Sequence, residues 1–222
     1  MKNLFVVVLL SLAVISSARA GVTITPQNNG LQITGDSDFL KFTLGYPVLS
    51  STDKKKTYAN KGVEVKDNAA ILKYEGGGEL DIAIDPTGTI TMKVDNLPAD
   101  VGFVEMRMTI NLSFNVGGTY QFGTKAAKPF PETKPDKPHM FQGNETEFTI
   151  RAGDGKGLKF TTPLYGYQEV TDMREWGTQS FGWMTLSTYS ASTALTFKIE
   201  DAGPAPAPAA DGATTNAAPA TQ

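Results

Sequence analysis

Leu80-Asp81-Ile82-Ala83-Ile84, then Asp85-Pro86-Thr87-Gly88, then Ile90-Thr91-Met92-Lys93-Val94: two runs that alternate apolar and polar residues flank a turn sequence. Period-two alternation puts every second side chain on one face of a strand, and Asp-Pro-x-Gly reverses the chain. The stretch predicts an antiparallel β-hairpin, half buried. Similar runs follow outward in both directions, at 39–44, 70–74, 104–114, 147–151, 158–162, 165–170, 180–188 and 195–199, most of them separated by Gly, Pro, Asn or Asp. Sustained i, i+3, i+4 spacing is absent from this body, so the expected fold is all-β, a two-sheet antiparallel β-sandwich of jelly-roll type.

The ends read differently. Residues 1–20 carry Lys2, an apolar run over 4–15 and Ala18-Arg19-Ala20, the pattern of a secretory signal cleaved before Gly21. The run is shorter than the about 20 residues that cross a bilayer, so no membrane span is expected after cleavage, and the expected address is secreted or periplasmic. Residues 202–222 are dominated by Ala, Pro and Thr and offer no large apolar side chain, as expected of a disordered tail or spacer. One domain over 21–201 remains, long enough to bury a core of its own. Cysteine is absent. Whatever the compartment, hydrophobic packing must hold the fold without disulfides.

The formal net charge is −3, and loss of Lys2 and Arg19 with the signal makes it more acidic. A nucleic-acid partner would call for a concentrated basic face, which this composition does not supply. The residues do not fix an oligomeric state.

Between 165 and 183 the chain places Tyr165, Tyr167, Trp176, Phe181 and Trp183 among Gln168, Glu169, Asp172, Arg174 and Glu175, and both tryptophans fall here. Aromatic rings beside hydrogen-bonding groups suit a sugar, since a ring covers the apolar face of a pyranose while polar groups fix its hydroxyls. A packed core has the same composition. In Phe181-Gly182-Trp183-Met184-Thr185-Leu186 the two faces of one strand are both apolar, which predicts either a covering loop or an open aromatic platform. Arg174 can brace the turn through Asp172 or Glu175, or its planar fork can receive a uronate carboxylate.

Residues 124–143 interrupt the strand rhythm with Pro129, Pro131, Pro135 and Pro138 and with Lys125, Lys128, Lys134 and Lys137, which predicts a long loop bordering any groove. His139, the only histidine, lies in it. One histidine and no cysteine do not make a zinc site. The metal expectation is limited to a structural calcium, with Asp36, Asp38, Asp85 and Asp154 as the candidate ligands.

Tyr167-Gln168-Glu169-Val170-Thr171-Asp172-Met173-Arg174-Glu175-Trp176, with Phe181-Gly182-Trp183, resembles segments of secreted bacterial β-sandwich proteins associated with polysaccharide breakdown. The resemblance covers fewer than twenty residues; it implies a carbohydrate-active context and assigns no catalytic residue. The Gln-Ile-His strand motif of the alginate-lyase jelly rolls is absent.

Three functions follow as expectations. The first is a non-catalytic protein that binds a polysaccharide or oligosaccharide through Tyr165, Tyr167, Trp176, Phe181, Trp183 and Arg174. The second is a polysaccharide lyase or glycoside hydrolase acting through Arg174, Glu175, Tyr167, Glu169 and His139. The third is an envelope structural or interaction protein with the Ala/Pro tail as a spacer.

Overall fold

A computed structural model describes residues 22–35, 40–66, 69–85, 89–190 and 195–205, with the side chains of Lys66, Asp95, Leu195 and residues 163–165 also outside the description. The expected signal, most of the tail, Asp36, Asp38 and the side chain of Tyr165 therefore lie outside the described residues.

Among the described residues sixteen strands carry the fold: β1 (Thr23–Gln27), β2 (Gly30–Thr34), β3 (Lys41–Gly45), β4 (Val48–Ser51), β5 (Thr57–Tyr58), β6 (Asn60–Lys66), β7 (Ala69–Tyr74), β8 (Glu79–Ile84), β9 (Thr89–Asp95), β10 (Val101–Asn111), β11 (Thr119–Phe122), β12 (Lys128–Pro129), β13 (His139–Arg151), β14 (Gly157–Asp172), β15 (Ser180–Thr188) and β16 (Leu195–Asp201). Two 3-10 turns, Leu112–Asn115 and Met173–Trp176, are the helical pieces among the described residues.

The hairpin expected over 80–94 is present: β8 and β9 pair antiparallel with Leu80 opposite Val94, Ile82 opposite Met92 and Ile84 opposite Ile90. Leu80, Ile82, Ile90 and Met92 are buried, while Asp81 and Ala83 between them are exposed. Alternation here decides which face enters the core.

All strand pairings among the described residues are antiparallel, and they form one continuous sheet whose main path runs β1-β2-β3-β10-β15-β14-β16-β9-β8-β7-β6, nearly closed into a barrel. Two separate sheets are not what the hydrogen bonding shows. The reason is β14. Its first half pairs with β16 over Leu158–Thr161, its second half with β15 over Tyr167–Asp172, and β13 lies along both halves. One strand thus hands its edge from one neighbour to another and joins what would otherwise be two layers. Gly166 sits where this change is made: a Cβ there would come within 2.7 Å of the Leu186 carbonyl oxygen. A single hydrophobic cluster fills the interior, from Ile24 and Leu31 on one side to Leu72 and Leu80 on the other.

The expected 124–143 loop is only partly a loop. Lys128–Pro129 pairs with β11, and β13 begins at His139, so 139–143 belong to a strand. At the tail boundary, Arg151 donates to the carbonyls of Ala202, at 2.8 Å, and of Gly203, holding both against the body.

Candidate functional site

Strand pairing sorts the 165–183 segment into two faces. Gln168, Val170 and Asp172 lie opposite Thr185, Trp183 and Phe181 and point inward; Tyr167, Glu169 and Thr171 lie opposite Leu186, Met184 and Gly182 on the outer face, where Tyr167 and Glu169 are half buried and Thr171 is covered.

The inward face is core. Phe181 is 0% exposed and Trp183 2%. The Trp183 indole packs against Phe148, parallel at a centroid separation of 5.3 Å, and against Phe160 at 5.4 Å, and Phe181 lies 4.7 Å from Phe130. The Trp183 Nε1 donates to Gln168 Oε1 at 3.0 Å, and the Gln168 amide donates in turn to the Glu145 carbonyl at 2.7 Å, so the indole N–H and the buried amide are both paired. Neither ring offers a surface to a ligand, and the expectation of Phe181 and Trp183 as a platform is corrected. Of two apolar faces, the bulkier aromatic one fills the interior and the Met184 and Leu186 face is left half buried.

Arg174 also leaves the expected site. Its guanidinium grips the fully buried Asp172 carboxylate through Nε, at 2.9 and 3.1 Å, and through Nη2, and it donates to the carbonyls of Pro131 and Glu132 at 3.0 Å each. Asp172 Oδ1 also accepts from the Arg174 backbone N–H at 3.0 Å, capping the 3-10 turn. The pair is internal bracing: it ties the β14–β15 connection to the Pro/Lys segment, and with 10% of its side chain exposed Arg174 has little surface for a ligand carboxylate. Glu175 pairs with Lys134 at 2.7 Å and so joins the same two segments from outside.

The remaining candidates do meet. On the outward face Glu169 accepts from Tyr167 Oη at 2.5 Å, from Gln142 Nε2 at 3.1 Å and from Thr171 Oγ1 at 2.7 Å, and His139 Nδ1 lies 3.3 Å from its Oε1. The register of β13 on β14, Gln142 opposite Glu169 and His139 opposite Thr171, brings the loop histidine to the strand carboxylate. Partial burial alone would push the Glu169 carboxyl up. The hydrogen bonds from Tyr167, Thr171 and Gln142, with His139 adding a smaller charge effect, outweigh it together and hold the group below the usual carboxylate range. Tyr167 is pushed up to about 12, first by desolvation and then by donating to this carboxylate. The result is an ionised acceptor held by the hydroxyls of Tyr167 and Thr171 and the amide of Gln142. No group of three or more His, Asp or Glu side chains able to hold a metal occurs among the described residues. Asp85 Oδ1 and Asp154 Oδ1 each accept a backbone N–H at 3.0 Å, from Thr89 and Lys156, which is turn capping.

Trp176 closes the 3-10 turn after β14 and is 57% exposed, an unusual setting for an indole. The same outward face runs on across the sheet in register: Gln142, Glu169, Met184 and Arg107 form one row, and Asn144, Tyr167, Leu186 and Glu105 the next. At about 4.8 Å per strand, three steps carry the row from β13 to β10 over about 14 Å. The contribution of Gln142 and Asn144 is not visible in the sequence, because only long-range pairing brings them beside Tyr167.

No family model matches the chain, and no curated protein matches it. Among solved structures it is similar to the family GH92 inverting mannosidase from Bacteroides thetaiotaomicron VPI-5482, with a TM-score of 0.42 and 10% identity over 81% of this chain and 26% of that one. A GH31 family sulfoquinovosidase from E. rectale, solved with an aza-sugar inhibitor, gives a TM-score of 0.40 and 8% identity over 79% of this chain and 32% of that one. The chain thus spans about a quarter to a third of the length of these structures, and likeness at this level carries no functional argument.

Proposed function

We propose that the protein is a non-catalytic carbohydrate-binding β protein that works outside the cytoplasm. The observation that carries the reading is a polar cluster fixed on the outer face of paired strands, Gln142, Tyr167, Glu169 and His139, together with the exposed indole of Trp176 in the 3-10 turn that follows β14. An ionised carboxylate and amides accept from and donate to sugar hydroxyls, and an indole covers the apolar face of a pyranose. A strip held by strand pairing loses little freedom when a ligand docks. The signal-like residues 1–20 support the address.

Hydrolysis is the weaker reading. It calls for two carboxyl groups flanking a bond, and the other acids near this segment are otherwise engaged: Asp172 is turned inward to Arg174, Glu175 is paired with Lys134, and Glu105 on the same face is paired with Arg107.

Affinity electrophoresis of the full chain in native gels containing soluble glucan, mannan or polygalacturonate tests the proposal. Retardation by at least one polysaccharide, reduced by Trp176→Ala and by Gln142→Ala, is the expected result. Unretarded migration in every gel, or retardation that both variants keep, overturns it.

A further inference from the structure

On the same side of the sheet as Arg107, a cleft of about 540 Å³ opens at the corner where β3 passes into β4. Tyr58 and Tyr74 are buried in its floor, and Tyr46 stands half buried in its wall. The phenol hydroxyls are committed to the framework: Tyr74 donates to the Pro47 carbonyl at 2.6 Å, Tyr46 to the Gln27 carbonyl and Tyr58 to Asp100. Fixed aromatic edges and faces are therefore what the cleft presents. Its rim is polar, with the exposed amides of Asn28, Asn29 and Asn60.

Charge separates this cleft from the rest of a net acidic chain. No Asp or Glu lines it, and the one charged lining residue is Arg107, whose side chain is 70% exposed. Arg107 Nε donates to Glu105 two residues earlier on the strand, and no other ion pair engages the guanidinium among the described residues. A second cation, Lys56, lies over the Tyr58 ring at 4.2 Å from its centroid. A tyrosine-walled space of this volume with a few convergent polar groups has the proportions of a small-ligand site. The one formal charge in its lining is positive, and the Glu105 carboxylate that accepts from Arg107 Nε stands beside it.

We infer that the cleft is a subsite for a carboxylate-bearing sugar, a uronate unit of an acidic oligosaccharide, with Arg107 receiving the carboxylate and the tyrosine and asparagine groups holding the ring. A guanidinium fork matches a carboxylate in the plane of both groups, which a neutral sugar cannot exploit. The row Gln142, Glu169, Met184 and Arg107 runs from the Glu169 cluster to this cleft, so a single chain of sugars can lie along it. This inference rests on the carbohydrate reading above and adds its ligand class.

Isothermal titration of the full chain with a galacturonate oligosaccharide, a neutral oligosaccharide of equal length and free acetate tests it, using wild type, Arg107→Gln, Arg107→Lys and Trp176→Ala. The expected result is that Arg107→Gln weakens galacturonate binding about tenfold and leaves neutral binding unchanged, with Arg107→Lys in between. Trp176→Ala weakens both sugars. Equal galacturonate affinity in wild type and Arg107→Gln, with neutral binding intact and sensitive to Trp176→Ala, overturns the uronate subsite alone. Acetate binding as tight as the oligosaccharide also overturns it. No binding of either sugar by wild type overturns both readings.

Discussion

Trp176 and Trp183 are seven residues apart in sequence and lie in opposite environments. Trp183 stacks on Phe148 inside the core and Trp176 stands in solvent, so the same truncation has opposite expected results. Trp183→Ala removes a packed core ring and costs about 3–5 kcal/mol in denaturant unfolding. Trp176→Ala stays within about 0.5 kcal/mol of wild type. Asp172→Ala strands the Arg174 guanidinium without its buried partner and costs about 3–5 kcal/mol, which equilibrium unfolding also reads. Glu169 gives a pH prediction. Its folded carboxyl titrates below the unfolded value, so the stability it contributes is fully present above the unfolded pKa, about 4.3, and is lost as pH falls through the lower folded pKa. Carbon NMR of the side-chain carboxyl places its midpoint below that of a free glutamate, and Tyr167→Phe, which removes one donor, moves it upward.

At the scale of elements, β14 is where the fold is decided and where the sequence is hardest to read. Its sixteen residues read as two strands, 158–162 and 165–170, because Pro163 and Gly166 interrupt the pattern; the structure keeps one strand and changes its partner there. Gly166→Ala sets a Cβ against the Leu186 carbonyl, and the expected result is a clear loss of thermal stability of more than about 1 kcal/mol, since backbone cannot yield as a side-chain tip can. The hairpin at 80–94 and the strand at 180–188 were legible because period-two alternation is local information. The first half of β13 was not. Four prolines precede or flank it, and a register shift between His139 and Phe141 breaks the alternation that would mark a strand. Legibility of the candidate site divides the same way: Tyr167 and Glu169 share a face by their spacing alone, whereas the arrival of Gln142 and His139 depends on pairing across 27 and 32 residues. Alternation also showed two apolar faces on β15 without saying which one the interior takes.

For the molecule as a whole, one continuous antiparallel sheet around one hydrophobic cluster predicts a single cooperative unfolding transition, with tryptophan fluorescence and far-ultraviolet dichroism coinciding. Two resolved transitions would contradict a shared core. The sheet turns Phe181 and Trp183 inward to build that core and leaves an outer face on which Tyr167, Glu169, Met184, Leu186, Glu105 and Arg107 share two rows, with Trp176 exposed in the turn after β14. Binding of a glycan to that outer face is the central claim, and the two indole N–H signals report on it directly. In a nitrogen–proton correlation spectrum titrated with cello-, manno- and galacturonate oligosaccharides, the account predicts that the Trp176 indole signal shifts saturably with at least one sugar while the Trp183 signal, hydrogen-bonded to Gln168 in the core, stays in place. A Trp176 signal unmoved by every sugar in the series would contradict it.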